Sequence, residues 1–80
     1  MKGTVLNLQD LFLNTLRKEK IPAEISLLDG TIITGMIKGF DSYIILVDES
    51  DRTQRMVYKH ALSSIKPSRY ILLGNNNQNR

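Results

Sequence analysis

A chain of 80 residues with a formal charge of +3 makes one small domain, which buries only roughly 60% of its unfolded surface and usually needs a staple. With no cysteine and one histidine, neither a disulfide nor a self-contained zinc cluster can supply it, which leaves self-association. The longest apolar runs fall far short of a membrane span and the N-terminus lacks the apolar core of a secretory signal, so the sequence reads as soluble and cytoplasmic, without a membrane partner.

From Asn7 to Lys20, Leu8, Leu11, Phe12 and Leu16 recur at helical spacing, with Asn7 placed to cap the helix and Asp10 in its first turn. Arg17, Lys18 and Lys20 gather in the last turn, where cations suit the negative end of the helix dipole and can equally meet a polyanion. Pro22 turns Ile21 away from helix.

Beyond Pro22 the period falls to two. Ala23, Ile25 and Leu27 alternate with Glu24, Ser26 and Leu28, and Asp29-Gly30 makes a tight hairpin turn before a second strand, Thr31 to Phe40. Gly35 and Gly39, four residues apart, are expected to share one pleat face and to allow sharp bending. Asp41-Ser42 turns the chain into Tyr43 to Val47, an apolar run that suggests burial on both faces.

An acidic loop, Asp48 to Asp51, leads to a fourth strand, Gln54 to Tyr58. A short connection, Lys59 to Leu62, leads to a fifth, Ser63 to Lys66, which stops at Pro67. The asparagine-rich stretch from Gly74 is too poor in apolar residues to offset the entropy of ordering and is expected to be disordered. One helix and five short strands make a small, strongly bent open barrel, whose edge strands invite pairing with another copy into a ring.

The single histidine, His60, beside Asp10 or Asp41 could in principle make an acid–base pair, but the rest of a catalytic set is missing. The chain has no cysteine, no nucleophile elbow, no glycine-rich phosphate loop and no second histidine, and the two aspartates have local duties in a helix and a turn. The sequence therefore reads as a non-enzyme without cofactor or metal. Lys59 and His60, in a connection too short to bury them comfortably, can donate to phosphate, ribose or base edges, and Tyr43 offers a ring on which a base could stack. A lone tyrosine, by contrast, more often caps a core.

The segments LQDLFLNTLRKEK, LLDGTIITGMIKGFDSY and MVYKHALSSIKPS resemble, in this order, the bacterial Sm-like RNA chaperone family Hfq, with YKHA after an apolar strand the most specific motif. The resemblance implies a mainly β fold in which an N-terminal helix precedes a bent five-stranded Sm-like, SH3/OB-like open barrel. It places that domain at residues 1–69, with a polar tail at 70–80. It further implies a homohexameric ring closed by the fourth and fifth strands. Such a ring binds single-stranded RNA and promotes pairing of small regulatory RNAs with mRNAs.

By the same resemblance, Gln9, Tyr43, Lys59 and His60 match the proximal site for uridine-rich RNA, with Asp10, Phe40 and Asp41 beside it, while Ser42 departs from the glutamine or lysine common in relatives. Arg17, Lys18 and Lys20 match the charge of a basic rim. The distal face, at Ser26, Gly30, Thr31, Ile33 and Thr34, departs from the adenine-binding pattern: Ser26 stands where an aromatic is common and Asp29 where an asparagine is. This face is accordingly expected to be weak or altered. The alternative is a ring or small barrel that binds protein through its strand edges or through Leu28 and Ile32.

Overall fold

A computed structural model describes residues 8–49 and 52–73. The helix α1 runs Leu8–Lys18 and is followed by the strands β1 (Ala23–Leu27), β2 (Ile32–Phe40), β3 (Ile44–Glu49), β4 (Gln54–Tyr58) and β5 (Leu62–Pro67), with a 3-10 turn at Lys59–Ala61. Helix and strands stand where the hydrophobic periods place them, except that Asp48 and Glu49, expected in the acidic loop, extend β3 and pair with Met36 and Gly35 of β2. Asn7 as helix cap and the tail from Gly74 lie outside the described residues.

The helix buries Leu13 and Leu16, with Phe12 packed against them, while Leu8 is 67% exposed. The inward stripe is therefore Phe12, Leu13 and Leu16, rotated from the one expected. Its end is a Schellman arrangement: the Ile21 amide donates to the Leu16 carbonyl at 3.0 Å and the Lys20 amide to the Arg17 carbonyl at 3.3 Å. The left-handed residue this requires, usually glycine, is Lys20 at φ 54°. Ile21, 2% exposed, folds back onto the core.

The strands form one antiparallel sheet in the order β4-β3-β2-β1-β5, open between β4 and β5. The β1–β2 loop is three residues long: Leu27 pairs with Thr31, Gly30 takes φ 96°, and the Asp29 carboxylate accepts the Thr31 amide at 2.9 Å. Inward residues from β1 to β4, among them Ile25, Ile33, Ile37, Ile45, Val47 and Val57, meet Leu13, Leu16 and Ile21 in one cluster, so the sheet curls around a single core. Ile71, beyond β5, also packs on it. In β3 only alternate residues are buried; Ile44 and Leu46 are half-exposed, so the expected burial on both faces does not occur within one chain.

The pairing of β2 with β3 shifts by one residue between Ile37 and Gly39, leaving Lys38 as the extra residue of a bulge. The bulge inverts the alternation beyond it. Gly35 is an inward position, whereas Gly39 pairs with Leu46 on the outer side and Phe40 turns inward against Ile45. The two glycines do not share a face, and they differ in what they permit. A Cβ on Gly35 would collide with the Asp48 carbonyl and lie 2.9 Å from Val47 Cγ1; one on Gly39 would meet nothing within 4 Å.

Gly35→Ala is accordingly expected to destabilise the fold by about 1–3 kcal/mol, whereas Gly39→Ala should change stability by less than about 0.5 kcal/mol. Denaturant unfolding of both variants checks the contrast; equal effects would contradict the close approach at Gly35.

Candidate nucleic-acid interface

Gln9 continues the inward stripe of α1 one turn before Phe12 and Leu13, which aims it at the mouth of the barrel. There it lines a cavity of about 310 Å³ with Phe12, Lys59, Leu62, Ser63 and Ser64. Lys59 follows β4 directly, and its amide donates to the Tyr43 carbonyl at 2.8 Å, which ties the 3-10 turn to the start of β3. Two chain segments some sixteen residues apart in order are thus fixed side by side.

The Lys59 side chain is only 12% exposed, contrary to the expectation for so short a connection. Its apolar stem can be buried because its ammonium has partners waiting: Asp10 Oδ1 at 3.6 Å and the face of the Phe40 ring, 5.5 Å to the centroid. Helix, β2 and the 3-10 turn each supply one member. Tyr43, in contrast, is 77% exposed and holds no place in the core.

The Tyr43 segment is set by Asp41, whose carboxylate accepts the amides of Tyr43 at 2.8 Å and Ile44 at 2.9 Å. The Tyr43 amide, then the Ile44 amide, and after them the nearby Lys59 charge hold the Asp41 carboxyl below its ordinary value of 3.8. His60 is exposed and stacks on Tyr58, ring centroids 5.7 Å apart at 23°. The structure thus brings Gln9 and Lys59 into one cavity and joins Tyr43 to it through the backbone, with His60 next in line. Asp10 and Asp41 are engaged elsewhere than at His60, and no group of three or more metal-ligating side chains converges among the described residues.

Arg17 and Lys20 line a second groove, of about 280 Å³, with Met36, Ile37, Lys38 and Asp48; Lys18 is exposed but not part of this lining. Lys38 went unnoticed in the sequence. Its signal was there, a lone cation within β2 immediately before Gly39 where the alternation breaks.

Of the distal residues, Ser26 pairs with Ile32 and Ser64 on the outer face and Thr34 with Glu24. Gly30 and Thr31 form the exposed hairpin tip. Ile33 is a correction: at 3% exposure it is a core residue and cannot touch an outside ligand. The outward positions flanking it are Ile32 and Thr34, as the two-residue period of the strand requires. Hydrogen bonds from the Thr31 amide and hydroxyl hold the Asp29 carboxyl below its ordinary value, keeping this tip anionic. A larger concavity, about 680 Å³, lies away from Lys59, between Pro22 and Arg52, and its acidic members are already engaged, Asp48 by Lys38 and Gln54 and Glu49 by Arg55.

The family profile described as Hfq protein matches residues 8–72, helix through β5 and the packed Ile71. The chain belongs to the Hfq family. An RNA-binding protein Hfq of Clostridioides difficile (strain 630) is 61% identical over 75 residues, covering 94% of this chain and 87% of the relative. One of Caldicellulosiruptor bescii is 51% identical over 80 residues, covering 96% of this chain and 86% of the relative. Among solved structures, a crystal structure of the pleiotropic translational regulator Hfq aligns with TM-score 0.72 at 27% identity, covering 75% of this chain and 98% of that one. An Hfq protein from Anabaena sp. aligns with TM-score 0.67 at 30% identity, covering 78% and 100%. The Sm-like fold of these Hfq structures is that of the present chain.

The Asp41 contacts generate a pH dependence. A carboxyl whose folded pKa is lowered contributes stability above its unfolded value and loses it as pH falls through the folded one. Between about pH 5 and pH 2 the wild type should therefore lose thermal stability more steeply than Asp41→Asn, whose amide oxygen can keep both hydrogen bonds without titrating. Melting temperatures across that range check this; parallel curves would exclude Asp41 as a contributor.

Proposed function

We propose that this chain assembles through β4 and β5 into a homohexameric ring in the cytoplasm. On the face bearing Gln9, Tyr43, Lys59 and His60, the ring binds uridine-rich single-stranded RNA. It acts as an RNA chaperone that brings small regulatory RNAs and mRNAs together, without chemical catalysis. Membership of a family whose relatives are named RNA-binding protein supports the class. The observation that carries the site is the held ammonium of Lys59, which shares a cavity with Gln9 and is tied through its backbone to an exposed tyrosine ring.

Physically the parts divide the work. A flat exposed ring suits base stacking, worth about 1–3 kcal/mol per base, and a glutamine amide with a lysine donor suits the oxygens and N–H of a pyrimidine edge. The outward imidazole of His60 suits ribose or phosphate. The unpaired edges of β4 and β5, left by the open sheet order, support ring closure. The distal face supports little adenine binding: Ser26 cannot stack and Asp29 repels phosphate. Its exposed Leu28 and Ile32, 69% and 62%, favour instead the second reading, a protein-interaction module.

Titration of labelled oligo-U and oligo-A at several salt concentrations tests both readings. Tight oligo-U binding should be weakened at least tenfold by Tyr43→Ala, in keeping with the loss of one stacked base, and by Lys59→Met, which keeps the apolar stem and removes the donor. His60→Ala, which removes a donor to ribose or phosphate, should weaken oligo-U binding as well. Native mass spectrometry should give a hexamer of the 9.1 kDa chain. Equal or better oligo-A binding that survives these substitutions would overturn the proximal assignment, and binding of neither RNA would favour the protein-partner reading.

A further inference from the structure

The 3-10 turn Lys59–Ala61 carries both the ammonium and the imidazole of the proximal face, yet alone it is a weak support for them. It is three residues long, no side chain caps its start, and its own bond is the Leu62 amide donating to the Lys59 carbonyl. So short a turn takes its position from what it is bonded to. One anchor is the Lys59 amide on the Tyr43 carbonyl, at 2.8 Å. The other comes from the loop between β1 and β2, where the Leu28 amide donates to the Ala61 carbonyl, also at 2.8 Å.

This second anchor depends on a slip in the ladder. β1 pairs Ser26 with Ser64 but Leu27 with Leu62, which makes Ser63 an extra residue in β5. Unshifted, the ladder would set Leu28 opposite Leu62; the slip sets it opposite Ala61, inside the turn. The Leu28 side chain, 69% exposed, has no place in the core. Its main chain holds the second position of the turn that the Gly30 amide closes on the Leu27 carbonyl. The loop whose tip is Gly30 and Thr31, on the distal side, thus supports Lys59 and His60 on the proximal side through one main-chain hydrogen bond.

We infer that the Leu28 amide is a positioning group for RNA binding: it braces the Lys59–Ala61 turn from behind, so that the β1–β2 hairpin and the RNA-contacting turn move as one piece. The inference rests on the RNA-binding reading above and deepens it. A donor aimed at a base edge or a ribose loses its value when its backbone swings away. With the brace released, His60 and Ala61 are held only through their chain neighbours, and ordering them on RNA costs affinity.

Leu28→Pro deletes this donor alone. Proline suits the second position of such a turn, Leu28 is not among the residues of positive φ, and Leu27 before it already lies in a strand. Leu28→Ala, which loses the same exposed side chain and keeps the amide, is the control. In the full chain free of RNA, hydrogen exchange followed by NMR should show the Lys59 and Leu62 amides exchanging at least about tenfold faster in Leu28→Pro than in Leu28→Ala. Oligo-U affinity should fall about three- to tenfold in Leu28→Pro and stay within about twofold of wild type in Leu28→Ala. Melting temperatures of the two variants should lie close together, because proline's lower unfolded-state entropy offsets the lost bond. A merely structural role would instead lower the melting temperature and leave the affinity of the folded protein unchanged. If Leu28→Pro fails to fold, the chain synthesised with leucic acid at position 28, an ester in place of the amide, repeats both measurements. Unchanged exchange at Lys59 and Leu62 overturns the inference, as does an oligo-U affinity equal to that of Leu28→Ala. Should the wild type itself not bind oligo-U, the RNA-binding reading fails, and with it the role in RNA binding, while exchange still decides whether Leu28 braces the turn.

Discussion

The close approach of β2 to β3 at Gly35 is the constraint on which the rest of this small structure depends. A hydrogen at that position lets the strand lie against the Asp48 carbonyl and Val47, where any Cβ would hold the two apart. Three residues on, the bulge at Lys38 bends the same strand again and reverses which residues look inward. With both devices a single five-stranded sheet curls around ten buried apolar side chains among the described residues, a core small enough that each one matters. Flattened, the sheet would separate the 3-10 turn after β4 from the helix, and Lys59 from Asp10.

Much of this was legible in the sequence. The change of period at Pro22, the Asp29-Gly30 turn and the short apolar runs mark helix and strands because local backbone chemistry decides them. What escaped were effects of pairing. Ile33 was assigned to an outer face although its two-residue parity with Ile37 makes it core. Gly35 and Gly39 were put on one face because a bulge has no consistent residue signature. Lys59 was read as exposed because its partners, Asp10 and Phe40, come from elements that only the fold brings to it. Tyr43, which the sequence leaves open between a stacking ring and a cap on the core, is 77% exposed and caps no core.

Several charged groups among the described residues pair with one another, within the sheet and beside it. Lys66 faces Glu24 at 3.7 Å, Arg55 meets Glu49 at 2.8 Å, and Arg69 reaches Glu19 at 3.1 Å. These exposed pairs add little to stability. Their larger effect is to concentrate the modest net positive charge at the helix end, where Arg17, Lys18 and Lys20 stand, rather than over the whole surface. A formal charge of +3 therefore understates the contrast between faces.

The ammonium of Lys59 carries one more implication. With a carboxylate 3.6 Å away and an aromatic face beneath it, it presents oriented N–H groups with much of its monopole field already cancelled. Such a group is a poor magnet for phosphate and a good reader of neutral carbonyl oxygens, since its pull decays with distance as a dipole does and rewards only an acceptor in the right place. Selectivity at the mouth of the barrel then comes from geometry at short range, while attraction at long range is left to cations with no counterion so near.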